Sequence, residues 1–220
     1  MPPARLPLFP LPLVLFPGAT VPLHVFEPRY RRMLADCLQG SREFGIVCRG
    51  EGGADDALPA GTVGCVARIA RHETLPDGRS NIVVEGRERF AVARVVDTGQ
   101  PYLVADVAAW DDEPEPESTL APVARRVRAL FARVARAART IADDAVEPPP
   151  LPADPARLSF AIAALVDIAL DARQQLLTSR SASARLRELA GMLGPAAPAL
   201  EGRAEVHARA RSNGHGPDAP

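Results

Sequence analysis

The chain has 220 residues, enough for one large domain or two small ones with a real core. Hydrophobic residues make up 47% and the formal net charge is -1, so no global field favours nucleic acid or an anionic membrane. All 26 basic residues are arginine, which excludes a Walker A loop, a Ser–Lys dyad and Schiff-base chemistry, since each needs a lysine.

The chain opens with "LPLFPLPLVLFPGATVPLHVFEPRY", Leu6 to Tyr30. Pro7, Pro10, Pro12 and Pro17 break any helical signal sequence, and no A-x-A cleavage site follows. Large apolar residues fill the gaps, unlike the polar surroundings of a polyproline ligand. The pattern predicts an edge strand. Leu6 and Leu8 share one phase, Leu11, Leu13 and Leu15 the other, with a β-bulge at Phe9-Pro10 and the prolines turned away from the ladder. "FPG" is a turn with Gly18 at positive φ. "TVPLHVF" is a second strand. "EPRYRRMLADCLQG" predicts a helix with Pro28 in its first turn, Tyr30, Met33, Leu34, Cys37 and Leu38 on one face, and Gly40 as its stop.

Further strands follow at "EFGIVCRG", "TVGCVARIARHETL", "SNIVVEGRERFAVARVVD" and "YLVADVAAW". Val63, Cys65, Ala67 and Ile69 face one way, as do Phe90, Val92 and Val95. "EGGADDALPAG" is a polar loop, and Pro76-Asp77-Gly78 turns a hairpin. Short strands without crossover helices predict a small antiparallel barrel or sandwich, plugged or covered by the early helix. Cys37, Cys48 and Cys65 form no C-x-x-C pair and read as reduced, buried thiols, in keeping with a soluble cytoplasmic protein.

"DDEPEPES", Asp111 to Ser118, is an acidic, proline-rich linker. Beyond it the period changes to that of helices. Leu120 to Ile141 carries Val123, Val127, Leu130, Phe131, Val134, Ala138 and Ile141 on one face and six arginines on the other. Asp154 caps the next helix, Asp171 caps a short one, and "SASARLRELAGML" ends at Gly194-Pro195. The expected organisation is a β-barrel over 1–112, a linker over 113–119, a helical bundle over 120–194 and a disordered tail over 195–220.

"LPLFPLPLVLFPG…VPLHVFEPRYRRML", "GTVGCVARIARHETLPDGRSNIVVEGRERFAV", "PYLVADV" and "DPARLSFAIAALVDIALDARQQLLTSRSASARLREL" together resemble the N-terminal substrate-binding domain of Lon proteases, over about residues 5 to 194. The resemblance implies an α+β fold: a PUA-like antiparallel β-barrel with one early helix, then a C-terminal helical bundle. It implies a stand-alone, non-enzymatic module that binds unfolded or exposed hydrophobic protein segments, as a holdase or as an adaptor to a separate Lon protease.

Candidate binding residues lie on the surface of these motifs: Phe26, Glu27, Arg29 and Tyr30 of "FEPRY", Arg68 of the long strand, and Arg87 and Arg89 of "GRERF". Each has a structural reading too. Glu27 and Pro28 start a helix while Phe26 and Tyr30 pack inward, and alternation sets Arg87 and Arg89 on a solvated strand face. The six-arginine face could hold RNA, but the neutral net charge and 5% aromatic content argue against it. A small-molecule site has no residues pointing to it. His24 and His72 lack companion ligands, so no metal or cofactor is expected, and no G-x-S-x-G setting marks a nucleophile.

Overall fold

The computed structural model describes residues 4–49, 58–144 and 149–214. Most of the expected polar loop and the start of "EPPPLP" fall outside them. In chain order the elements are β1 (Ala4–Leu11), β2 (Thr20–Val25), α1 (Pro28–Gln39), β3 (Glu43–Cys48), β4 (Val63–Thr74), β5 (Ser80–Val96), β6 (Val104–Ala109), α2 (Glu117–Ala142), α3 (Pro155–Leu165), α4 (Leu170–Thr178) and α5 (Ala182–Gly214). The chain divides into two units, Met1–Glu113 with Ala163–Arg180 and Pro114–Ile162 with Ser181–Pro220.

The strands of the first unit form one sheet in the order β2-β5-β4-β3-β1-β6. A further β5–β6 pairing closes β5, β4, β3, β1 and β6 into a ring and leaves β2 outside it. All pairings are antiparallel except β1 with β3. Thus β1 is not the edge strand its prolines predict. Its first half, Ala4 to Pro7, pairs with β6, and its second half, Leu8 to Leu11, pairs with β3. Because the strand changes neighbour midway, each half has a free lateral side where a proline nitrogen need not donate.

No bulge interrupts β1 either; both of its registers run without a shift. Its two apolar phases instead serve two cores. Leu8 packs with Val47, Phe90, Val92, Ala105 and Val107, with Leu6 beside them. Phe9 joins Tyr30, Met33 and Leu34 of α1 and Cys65, Ala67 and Ile69 of β4, with Leu11 and Leu13 at their margin. A strand buried on both faces is apolar in both phases. The inward set Val63, Cys65, Ala67 and Ile69 is buried as its alternation predicts, and so are Phe90 and Val92. Val95 is 37% exposed, because the β5–β6 register shifts after Val92.

Helix α1 follows the sequence closely. Pro28 sits in its first turn and Tyr30, Met33, Leu34 and Cys37 are buried. Burying a Leu or Met of this kind contributes about 1.5–3 kcal/mol. Gly18 and Gly78 take φ of 79° and 78°, as their turns demand. Gly40 does not: its φ is -112°, and the left-handed residue after α1 is Arg42, at 61°. The three cysteines carry no disulfide. Burial pushes the Cys37 thiol up to about 11 and the Cys65 thiol up to about 12, so both stay protonated at neutral pH.

In the second unit, α2 and α5 run side by side in the same direction and in constant register. Glu115 accepts a hydrogen bond from the Ser183 amide at a separation of 68 residues. Arg133 grips Glu201 through both guanidinium edges, at 2.8 and 2.7 Å, again 68 residues apart. Arg211 and His207 both bond Asp143. This is where the expected tail differs most. Helix α5 continues through Pro195 and Pro198 to Gly214. Leu193, Ala197 and Ala204 are buried along it, and that packing outweighs the local cost of the prolines. Helix α2 starts earlier than its apolar pattern predicts, at Glu117, and buries Ala124, Val127, Phe131 and Ala137. Its arginine face is partly engaged: Arg128 donates to the Leu151 and Pro152 carbonyls. Asp154 caps α3 through the Arg157 amide at 2.8 Å, as predicted. Asp171 lies inside the first turn of α4, whose cap position is Ala169.

Asp106 of β6 locks the ring. Its cross-strand partners are Arg5 of β1 and Arg94 of β5, and it pairs with both, at 3.2 and 2.6 Å. Burial alone would raise its carboxyl, but hydrogen bonds and charge from Arg5 and Arg94 hold it below the usual carboxylate range. A depressed folded value means the stabilisation is present above the unfolded pKa and is lost as pH falls through the folded one. Asp106→Asn should therefore lower the urea midpoint at neutral pH. The gap to the wild type should close as denaturation curves are repeated in progressively acidic buffer.

Candidate functional site

Strands β4 and β5 outrun the ring. The β3 ladder on β4 ends with Glu43 opposite Arg68, followed by the Ile69 amide donating to the Arg42 carbonyl at 2.9 Å. Beyond that point the β4–β5 register shifts at Ala70, and Arg71 to Thr74 pair with β5 alone among the described residues. On the other side of β5, β2 pairs from Thr20 opposite Glu85 to Val25 opposite Ser80. The result is an arm of β2, β5 and β4 with a strand edge on each side that no described residue pairs.

The two edges differ. Pro22 sits within β2 and offers no N–H, which blunts that edge against strand addition. The β4 edge, Arg71 to Thr74, has no proline. Ser80, Ile82 and Val84 of β5 are buried on one face of the arm. Their alternates form two rows on the other face: Pro22–Val83–Arg71 and His24–Asn81–Glu73.

An open groove of about 860 Å³ follows the arm and the end of α1, lined by Leu23, Leu38, Arg42, Arg71, Glu73 and Ile82 among others. Its parts are held in different ways. The Arg42 backbone is fixed at both ends, its amide donating to Cys37 at 2.9 Å and its carbonyl accepting from Ile69. Its guanidinium makes one long bond, 3.4 Å from Nε to the Ile69 carbonyl. His24 pairs through Nδ1 with Asn81 at 2.8 Å. His72 pairs through Nε2 with Ser80 and Thr74 at 3.3 and 3.2 Å. The side chains of Arg71 and Glu73 make no hydrogen bond or ion pair with described residues. Tyr102 donates to Asp36 of α1 at 2.8 Å. Burial and that hydrogen bond push the Tyr102 hydroxyl up to about 12.

The residues singled out from sequence do not form one site. Phe26 is 58% exposed, with its ring near-parallel to His24 at 6.0 Å. Glu27 accepts from Arg29 at 2.9 Å. Tyr30 is buried with its ring 4.2 Å from Phe9 and the Arg29 guanidinium 4.5 Å from its own ring centre, so it offers little to a partner. Arg68 is exposed on β4, just before its free edge. Arg87 is partly exposed and pairs with Glu85 at 3.6 Å.

Arg89 is a correction. Alternation predicts a solvated side chain, yet the residue is 6% exposed. Its guanidinium donates to the Leu177 and Ser179 carbonyls at 2.7 and 2.6 Å and to Asp112 at 2.5 Å. Trp110 donates to the Thr178 carbonyl between them, at 2.8 Å. The last carbonyls of a helix have no partner within it and favour a cation. Arg89 and Trp110 therefore cap α4 against the sheet, and residues 163–180 belong to the first unit instead of the helical one. The outward strand face is covered here by α4, which strand periodicity cannot reveal.

Sequence reasoning missed Arg42, Arg71 and Leu38 as neighbours of His24 and His72. The only local signal was the alternation of charge at "ARHE" on a strand predicted to be long. Among the described residues, no group of three or more His, Cys, Asp or Glu could hold a metal ion. No helix among them is long and apolar enough to cross a membrane.

Comparison with known proteins accounts for this architecture. A crystal structure of a Lon N-terminal domain protein from Xanthomonas campestris is 28% identical, with a TM-score of 0.59, covering 84% of this chain and 96% of that one. The N-terminal domain of a Mycobacterium avium complex Lon protease shares the fold at a TM-score of 0.65 and 19% identity, covering 87% of this chain and 98% of that one. Lon protease 2 of Herpetosiphon aurantiacus is 32% identical over 202 residues, 90% of this chain and 24% of the relative. Lon protease of Anaeromyxobacter dehalogenans is 30% identical over 196 residues, 84% of this chain and 22% of the relative. The chain thus spans about a quarter or less of the length of these curated relatives. Residues 5–194 match the ATP-dependent protease La (LON) substrate-binding domain, and the chain belongs to that family.

Breaking a buried, hydrogen-bonded ion pair from one side leaves the partner groups uncompensated. Arg89→Leu should therefore cost about 3 kcal/mol of unfolding free energy by urea denaturation. The same change at the partly exposed Arg87 should cost about 0.5 kcal/mol or less.

Proposed function

We propose that this chain is a non-enzymatic recognition module that captures exposed or unfolded segments of other proteins. It would act as a holdase or as an adaptor that presents clients to a separate Lon protease. Membership of the substrate-binding domain family supports the class of ligand. The observation that carries the reading is the free β4 edge, Arg71 to Thr74, beside an open groove lined by both apolar and polar residues. An unpaired strand edge offers backbone donors and acceptors to any extended chain, and a flanking groove takes its alternate side chains. We also place the protein in the cytosol, where three unpaired cysteines with no disulfide stay reduced.

Half of the six-arginine face of α2 is engaged within the chain, which weakens the case for RNA binding. Arg133 is engaged by Glu201, Arg139 donates to the Asp144 carbonyl, and Arg128 holds the segment before α3.

The test is fluorescence anisotropy with a labelled model protein, permanently unfolded by reduction and alkylation, against its folded form. The unfolded form should bind and the folded form should not, with substantial binding persisting at high salt. Equal affinity for both forms, or for neither, would overturn the reading.

A further inference from the structure

We propose that the β4 groove selects extended peptides that carry acidic side chains among apolar ones. This inference rests on the peptide-binding reading above and adds a charge preference and a location to it.

Two features of the groove set the charge. Arg71 stands at the free edge of β4 with a side chain that bonds to no described residue. Arg42 faces the same groove from the end of α1, its guanidinium committed only to one 3.4 Å bond from Nε. Its backbone is held by Cys37 and Ile69, so the base of the side chain is fixed before any ligand arrives. An unoccupied guanidinium fork matches a carboxylate, and such charge-assisted bonds are stronger than neutral ones. The half-buried Leu23 and Leu38 supply apolar lining, Leu23 on the face of the arm opposite Arg71, which suits a peptide whose apolar and acidic side chains alternate.

The site also has a direction. Glu73 is the one acid among the lining residues, and its row lies next to that of Arg71 on the same face. An acidic side chain is therefore favoured toward Arg71 and Arg42 and repelled toward Glu73. The β2 edge competes poorly for the same peptide, because Pro22 removes a donor from it.

The test uses the full chain and three labelled peptides of strand length. One alternates valine with glutamate, the second has glutamine for each glutamate, and the third has lysine. The glutamate peptide should bind about tenfold more tightly than the glutamine peptide, with the lysine peptide weakest. Arg71→Glu and Arg42→Gln should each erase most of that preference, Glu73→Gln should strengthen it, and rising salt should weaken it. All three variants change groove side chains that hold no ion pair, and circular dichroism melts identify any that misfold.

Equal binding of the three peptides would overturn the acidic preference and leave peptide recognition standing. A preference unaffected by Arg71→Glu and Arg42→Gln would overturn the location. Failure of every peptide while the unfolded model protein still binds would place recognition elsewhere. Failure of both would remove the parent reading as well. Self-association through this edge, seen as a concentration-dependent mass that Arg71→Glu abolishes, would make a second copy the occupant and overturn the proposal.

Discussion

The first unit is organised by the length of β5. The strand has 17 residues, while β2 and β6 have 6 each. No single short neighbour can satisfy the backbone of such a strand on its second side, and unpaired buried amides and carbonyls are costly. The chain answers by dividing the work. β4 pairs along most of β5, β2 takes its first part and β6 its last. The β6 pairing closes the ring, with Asp106 held between Arg5 and Arg94. The β2 pairing builds the arm, and the arm carries β4 beyond the reach of β3. Both the stable part of the unit and its open edge follow from one strand being longer than its neighbours.

Between these two regions sits Arg89. It lies on β5 just before the ring pairing begins at Phe90. Its guanidinium collects the final carbonyls of α4, and Gln174 of the same helix donates to the Val63 carbonyl of β4 at 3.0 Å. A helix whose C-terminal carbonyls are met by a buried cation is anchored in both position and direction. The chain leaves the first unit after Glu113 and re-enters it at Ala163, and this anchor explains why that return is a structural part of the unit.

The functional asymmetry comes from how the two free edges are treated. Proteins blunt exposed edges with proline or charge. β2 carries Pro22, which removes a donor outright. β4 carries Arg71 and Glu73, which discourage indiscriminate pairing but leave the backbone able to bond. An edge guarded by charge alone can still accept a strand whose own charges match. That difference, beside a groove of mixed apolar and polar lining, is why we propose β4 and not β2 as the surface for an extended partner.

Much of this was written in the local pattern of residues. Helix α1 is specified by Pro28 and its apolar stripe, the β4–β5 hairpin by Pro76 to Gly78, and the inward set on β4 by strict alternation. These features depend on neighbours close in sequence, so sequence determines them. The fate of the prolines in β1, the burial of Arg89, the path of α5 past Pro198 and the lining of one groove by both Arg42 and Arg71 were settled otherwise. Each depends on which distant segment lies alongside: β6 and β3 on the two halves of β1, α4 over β5, α2 beside α5, and the end of α1 beside the free edge of β4. Periodicity tells which way a side chain points relative to its own strand or helix. Only tertiary structure decides whether water or another part of the chain waits there.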